Sequence, residues 1–136
     1  AGAPRVNPLL PYLAEARPGF YDLTVGWTLN GQPMGCTNYN VMYYSSAQQL
    51  AHHTASGCPM RVGDLLGSGT ISGPSPDQTG ALLEMTQGGK VPVTVNGQTR
   101  SFIEDGDEIG LYAHAEGAGY RIGFGPCTGQ ILPAMP

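Results

Sequence analysis

The sequence has 136 residues, of which 21 are Gly and 12 Pro, about a quarter of the chain, and that density of helix breakers excludes a helix bundle or coiled coil. Charged residues make up 12%, against roughly 25% in an ordinary soluble domain, so the surface is poorly solvated and much of it is expected to be covered by something else. With 40% hydrophobic residues and a net charge of −4, disorder is excluded; six basic against ten acidic side chains leave no stripe able to follow phosphates, so no nucleic-acid partner is expected.

The length allows one domain of common size. The first segment, Ala1 to Leu13, is spaced by Pro4, Pro8 and Pro11 and reads as extended; with no initiating Met, it looks like the middle of a longer chain. Tyr21, Leu23, Val25, Trp27 and Leu29 then alternate with polar or small residues, the period of a strand with one face on a core. Asn30-Gly31 supplies the two positive-φ positions of a tight turn, and Pro33 limits the return strand, so an edge hairpin is predicted. One helix is expected from about residue 40 to 56, capped by Asn40, striped by Ala47, Leu50, Ala51 and Ala55, and stopped by Gly57.

From Arg61 onward the pattern is strands and turns. Strands are predicted over 64–71, 81–86, 91–95, 99–103, 108–114, 120–124 and 127–132, separated by Gly88-Gly89, Asn96-Gly97, Asp105-Gly106 and Gly117. No apolar run approaches the roughly 20 residues of a membrane span, so no membrane partner is expected. Cys36, Cys58 and Cys127 are odd in number and widely spaced, which signals neither a disulfide framework nor a zinc site; reduced thiols in the cytoplasm are expected.

Two stretches could carry chemistry. In Gly67-Ser-Gly-Thr70-Ile-Ser-Gly73, hydroxyls alternate with bare backbone, a texture suited to holding an anionic or carbonyl oxygen and equally suited to a corner of a curved sheet. Glu84, in Ala81-Leu-Leu-Glu-Met85, is a carboxylate inside an apolar run. On a strand it points away from Leu83 and Met85, either to solvent or into a site where it orients a histidine. His52 and His53 are adjacent, so on a helix their rings diverge by about 100° and do not chelate one ion. Asp105-Gly-Asp-Glu108 lacks the remaining ligands of a calcium loop and reads as a hairpin turn. Ser45 and Ser46, without elbow glycines, and the lone His114 read as structural.

Whole tracts also carry a resemblance. Gln48-Gln-Leu-Ala-His-His53, Gly57-Cys58, Arg61-Val-Gly-Asp-Leu-Leu66, Ser68-Gly-Thr-Ile-Ser-Gly-Pro74, Asp105-Gly-Asp-Glu108 and Gly119-Tyr-Arg-Ile-Gly-Phe-Gly125 read in order like the C-terminal third of the fumarylacetoacetase family. Pro11-Tyr-Leu13 and Ile131-Leu-Pro-Ala134 fit the same alignment. The resemblance implies a mainly β fold, a mixed β-roll with one crossover helix, of which residues 1–136 form the C-terminal portion of a larger catalytic domain. It implies a cytoplasmic homodimeric hydrolase of tyrosine and phenylalanine catabolism that cleaves a C–C bond of 4-fumarylacetoacetate. It also implies Mg²⁺ or Ca²⁺ and a histidine, oriented by a glutamate, that activates water. Carried over by position, that glutamate falls at Glu84, the candidate catalytic carboxylate, and a substrate-binding threonine at Thr70. The histidine base and all metal ligands would precede this segment, so no metal ligand is assigned in it and the chain alone is expected to be inactive. A related acylpyruvate hydrolase or keto-acid decarboxylase or isomerase, and a non-catalytic assembly segment, stand as alternatives.

Overall fold

A computed structural model describes residues 7–17 and 19–135. Of the extended stretch expected at the start, residues 1–6 lie outside the described residues, and Pro11–Leu13 forms one 3-10 turn. The chain is mainly β. Strands β1 (Leu23–Leu29), β2 (Gln32–Asn38), β5 (Glu108–Gly117), β6 (Tyr120–Gly123) and β7 (Cys127–Gln130) form one antiparallel sheet, and β3 (Val93–Val95) with β4 (Gln98–Arg100) form a two-stranded hairpin. Two helices, α1 (Ser46–Ala55) and α2 (Leu82–Met85), connect β2 to β3.

The predicted edge hairpin is present. Asn30 and Gly31 both take positive φ (51° and 76°), and β2 lies at the sheet edge, next to β1. A bulge opposite Trp27 and Thr28, which pair with Gly35 and Pro33, leaves Met34 unpaired and buried. The long central β5 pairs with β1 along one side. Along the other it takes β7 near its start and β6 near its end. Trp27, Leu29, Met34, Leu82 and Val95 make the core, with Met85, Val93 and Ile109 packed against it.

Asp107, in the turn expected at 105–108, is buried and structural. Its carboxylate accepts from Arg100 Nε (3.1 Å) and Nη2 (3.1 Å), Asn30 Nδ2 (2.8 Å) and the Glu104 amide (2.9 Å). The node thereby ties the β1–β2 turn and the β3–β4 hairpin to the start of β5. Hydrogen bonding to Arg100 first, and to Asn30 and Glu104 after it, outweighs desolvation and holds the Asp107 carboxyl down at about 2.

Three expected elements differ. The helix begins at Ser46, not near residue 40, because Ser45 and Gln48 close a capping box, while Asn38 caps a separate 3-10 turn at Tyr39–Val41. Its buried residue is Gln48, whose amide donates to the Leu13 carbonyl at 2.8 Å; Leu50, of the predicted stripe, is exposed. The predicted strand 64–71 does not form. Gly63 and Gly69 have φ of 98° and 77°, no strand lies alongside, and residues 61–70 are all exposed. Residues 81–86 hold α2 instead of a strand. No described helix is long and apolar enough to cross a membrane.

Candidate functional site

One face of the sheet carries a cavity of about 350 Å³. The register places Val25, Trp27, Gly35, Thr37, Leu111, Ala113 and Cys127 on that face, since Val25 is paired with Thr37 and Ala113, Trp27 with Gly35 and Leu111, and Leu111 with Cys127. All seven line it. Gly69, Thr70, Ile71, Thr79 and Gly80 form the opposing wall, and Phe124 and Gly125 close the side where the chain passes from β6 to β7. Thr70 therefore stands in the cavity wall.

The loop bearing Thr70 is held to the sheet by close backbone approaches that only glycine permits. Trp27 Nε1 donates to the Thr79 carbonyl at 2.9 Å, and a Cβ on Gly35 would stand 2.0 Å from that same oxygen. On the next residue, a Cβ on Gly80 would stand 2.2 Å from the Ile71 carbonyl oxygen and 2.8 Å from the Thr70 methyl. The Thr37 hydroxyl is buried in this wall without a hydrogen-bond partner among the described residues.

Glu84 lies on α2, and the strand alternation expected for it is replaced by helical spacing. Leu82 and Met85, three apart, turn into the core, and Leu83 and Glu84 turn outward and are exposed. Ala, Leu, Glu and Met are all strong helix formers, and six residues are too few for periodicity to separate strand from helix. Glu84 does not line the cavity. Its carboxylate accepts a hydrogen bond from the Ser72 hydroxyl, and the Ser72 oxygen accepts the Gly80 amide at 3.0 Å. Thr70 and Glu84 are thus joined through two residues of one loop. Ser72 and Trp27 were not among the expected site residues. Ser72 lies in the singled-out tract, but its pairing with Glu84 depends on α2, which the pattern did not show.

The remaining candidates lie elsewhere. His52 packs on Tyr12, with Nδ1 2.8 Å from the phenol oxygen, and pins the Pro11–Leu13 turn to α1. Ser45 caps α1, and His114 Nε2 stands 3.7 Å from Glu116. Cys36, Cys58 and Cys127 are free thiols, Cys127 being the one already placed on the cavity floor. On the opposite sheet face, Tyr112 lies over Gly26, where a Cβ would come within 2.3 Å of its ring, and Cys36 and Tyr112 both pair with Gly26 in the register. Burial pushes the Tyr112 phenol above its ordinary value, and Cys36 adds to the rise. Among the described residues, no three His, Cys, Asp or Glu side chains converge in a way that could hold a metal ion.

The fold and cavity define a β-sheet chain with a glycine-bearing loop laid over a largely apolar sheet face. Residues 2–132 match the family described as "Fumarylacetoacetate (FAA) hydrolase C-terminal". The chain belongs to that family. It is 47% identical over 141 residues to a fumarylacetoacetase of Arabidopsis thaliana, covering 98% of this chain and 34% of that protein. It is 46% identical over 133 residues to the human fumarylacetoacetase, covering 93% and 32%, and 50% identical over 98 residues to that of Caenorhabditis elegans, covering 72% and 23%. The chain thus spans about a third of the length of the first two relatives.

Proposed function

We propose that this chain is the C-terminal portion of a catalytic β-roll domain that hydrolyses 4-fumarylacetoacetate to fumarate and acetoacetate in tyrosine and phenylalanine breakdown. In this reading the protein is a cytoplasmic homodimer acting on a small molecule, with neither nucleic acid nor membrane as partner. The observation that carries the reading is the near-complete alignment of the chain with fumarylacetoacetases. The geometry is compatible with it. Thr70 faces an apolar cavity large enough for a short dicarbonyl chain, and Glu84 is tied to the same loop.

The reaction adds water to the fumaryl carbonyl and breaks the adjacent C–C bond, leaving fumarate and an acetoacetate carbanion that takes up a proton. The role assigned to Thr70 is to hold a substrate oxygen in the cavity. The role assigned to Glu84 is to orient the histidine that takes the proton from water and to stabilise its charged form. That histidine belongs to the part of the protein outside this chain, and so do the ligands of the Mg²⁺ or Ca²⁺ that the resemblance implies. The described residues do not form a site for such an ion.

The test is hydrolysis of 4-fumarylacetoacetate, followed by loss of its absorbance, in the complete protein. Glu84→Gln should retain the fold and lower kcat by ~100-fold or more, the scale of a general-base contribution. An unchanged kcat returns Glu84 to a solvent-facing role. The 136-residue chain alone should show no hydrolysis, and turnover by it at the complete protein's rate refutes the assignment of the base and cation to other parts of the protein.

A further inference from the structure

Glu84 is exposed and sits on a helix of four residues, an insecure base for a carboxylate that must be aimed. A free glutamate side chain has about 1.5–2 kcal/mol of rotamer entropy to lose before it points one way. Ser72 supplies what helix α2 cannot. A serine hydroxyl has one hydrogen and two lone pairs. Here the hydrogen is given to Glu84, and a lone pair takes the Gly80 amide at 3.0 Å. The donor order is therefore Gly80 N–H to Ser72 Oγ, then Ser72 O–H to the carboxylate, a chain in which each bond polarises the next.

The upstream end of that chain is rigid. Gly80 lies against the Ile71 carbonyl and the Thr70 methyl with no room for a side chain, and the neighbouring Thr79 carbonyl is anchored to the sheet by Trp27. Orientation passes from the sheet, through Thr79 and Gly80, to Ser72, and from there to Glu84. A hydrogen bond to an exposed carboxylate competes with water and contributes little to stability. What it does secure is direction.

We infer that Ser72 is a positioning residue, locking the Glu84 carboxylate to the Thr70 loop so that the group contacting substrate and the group orienting the base are held as one unit. The inference rests on the proposed function of Thr70 and Glu84. It is tested in the complete protein by a double-mutant cycle of Ser72→Ala and Glu84→Gln on 4-fumarylacetoacetate hydrolysis. Ser72→Ala should lower kcat about tenfold or more, the scale of misaiming a group that must be positioned, with KM within about twofold. Ser72→Thr, which keeps the hydroxyl, should restore kcat to within about threefold. In the Glu84→Gln background, Ser72→Ala should cost less than about twofold, because nothing remains for it to aim; a serine with only a structural role would cost the same factor in both backgrounds. Should Ser72→Ala fail to fold, Ser72→Cys, of similar volume and weaker donor strength, takes its place in the cycle. A wild-type kcat in Ser72→Ala, or equal losses in the two backgrounds, overturns this inference alone. A wild-type kcat in Glu84→Gln overturns the role of Glu84 and this inference together.

Discussion

Replacing Asp107 with Asn keeps the shape of the side chain and removes the charge that four donors converge on. Arg100 loses a partner that is 3% exposed, while its own side chain is 12% exposed. Breaking a buried pair from one side costs about 3–5 kcal/mol, because the remaining charge stays desolvated. Arg100 keeps a contact with the well-exposed Glu104 at 3.5 Å and its guanidinium is reached by water, which places the loss below that range, at about 1–2 kcal/mol at pH 7. The pH dependence follows from the same contacts. The folded-state carboxyl is depressed from 3.8 to about 2, so its contribution is fully present above about pH 4 and is lost as pH falls through about 2. That depression corresponds to about 2 kcal/mol, and water reaching the Arg100 end screens it toward roughly 1 kcal/mol. Urea unfolding of the complete wild-type protein and Asp107→Asn at pH 7, 5, 3 and 2 measures both quantities. The gap should be constant from pH 7 to 5 and narrow between pH 4 and 2. A gap under about 0.5 kcal/mol at pH 7, or one that persists unchanged at pH 2, refutes the argument.

Three further outcomes follow from the close packing around the sheet. Gly80→Ala drives a methyl into the Ile71 carbonyl and the Thr70 methyl, and should cost about 1–3 kcal/mol and lower kcat/KM at least tenfold; an active, equally stable variant would show that the Thr70 loop is not held there. Thr37→Val removes a buried hydroxyl without a partner and should leave the melting temperature unchanged or higher, whereas a fall of several degrees would reveal a partner for it. Gly26→Ala displaces the Tyr112 ring toward water, so its phenol, raised by burial, should titrate lower, toward about 10, in an alkaline absorbance titration; an unmoved titration would mean that the ring does not rest on Gly26.

Most of the sheet was legible where the cues were local. The alternation ending at Leu29, the Asn30-Gly31 turn and the Asn96-Gly97 turn, with φ of 48° and 80°, each specify their own conformation, and β1, β2, β3 and β4 follow. The hydroxyl-rich tract could be read as an oxygen-holding loop or as a sheet corner, and the structure places its Thr70 in a cavity wall. Less legible were elements decided by what packs on them. Residues 64–71 have strand composition, but a positive-φ glycine just before them, Gly63, another within them, Gly69, and the lack of a neighbouring strand leave residues 64–70 as exposed coil, with Leu65 almost fully in solvent. Residues 81–86 become helical because Leu82 and Met85 meet the core at a spacing of three. The link from Glu84 to Ser72 spans twelve positions and depends on that helix, so no pattern within either tract could disclose it.

The pairing of β1 with β5 bears on how the cavity comes into being. Asn30 and Glu108, where the two strands join, are 78 positions apart, and β1 and β5 each give two side chains to the cavity floor, with the rest from β2 and β7. As the chain leaves the ribosome, Val25 and Trp27 have no floor to complete until Leu111 and Ala113 have been made. Closing so long a loop is entropically costly and slow compared with forming the β1–β2 hairpin. The cavity is thus expected late in folding, and a chain cut between residues 32 and 111 retains the hairpin's turn signal but lacks the β5 half of its central floor pairs.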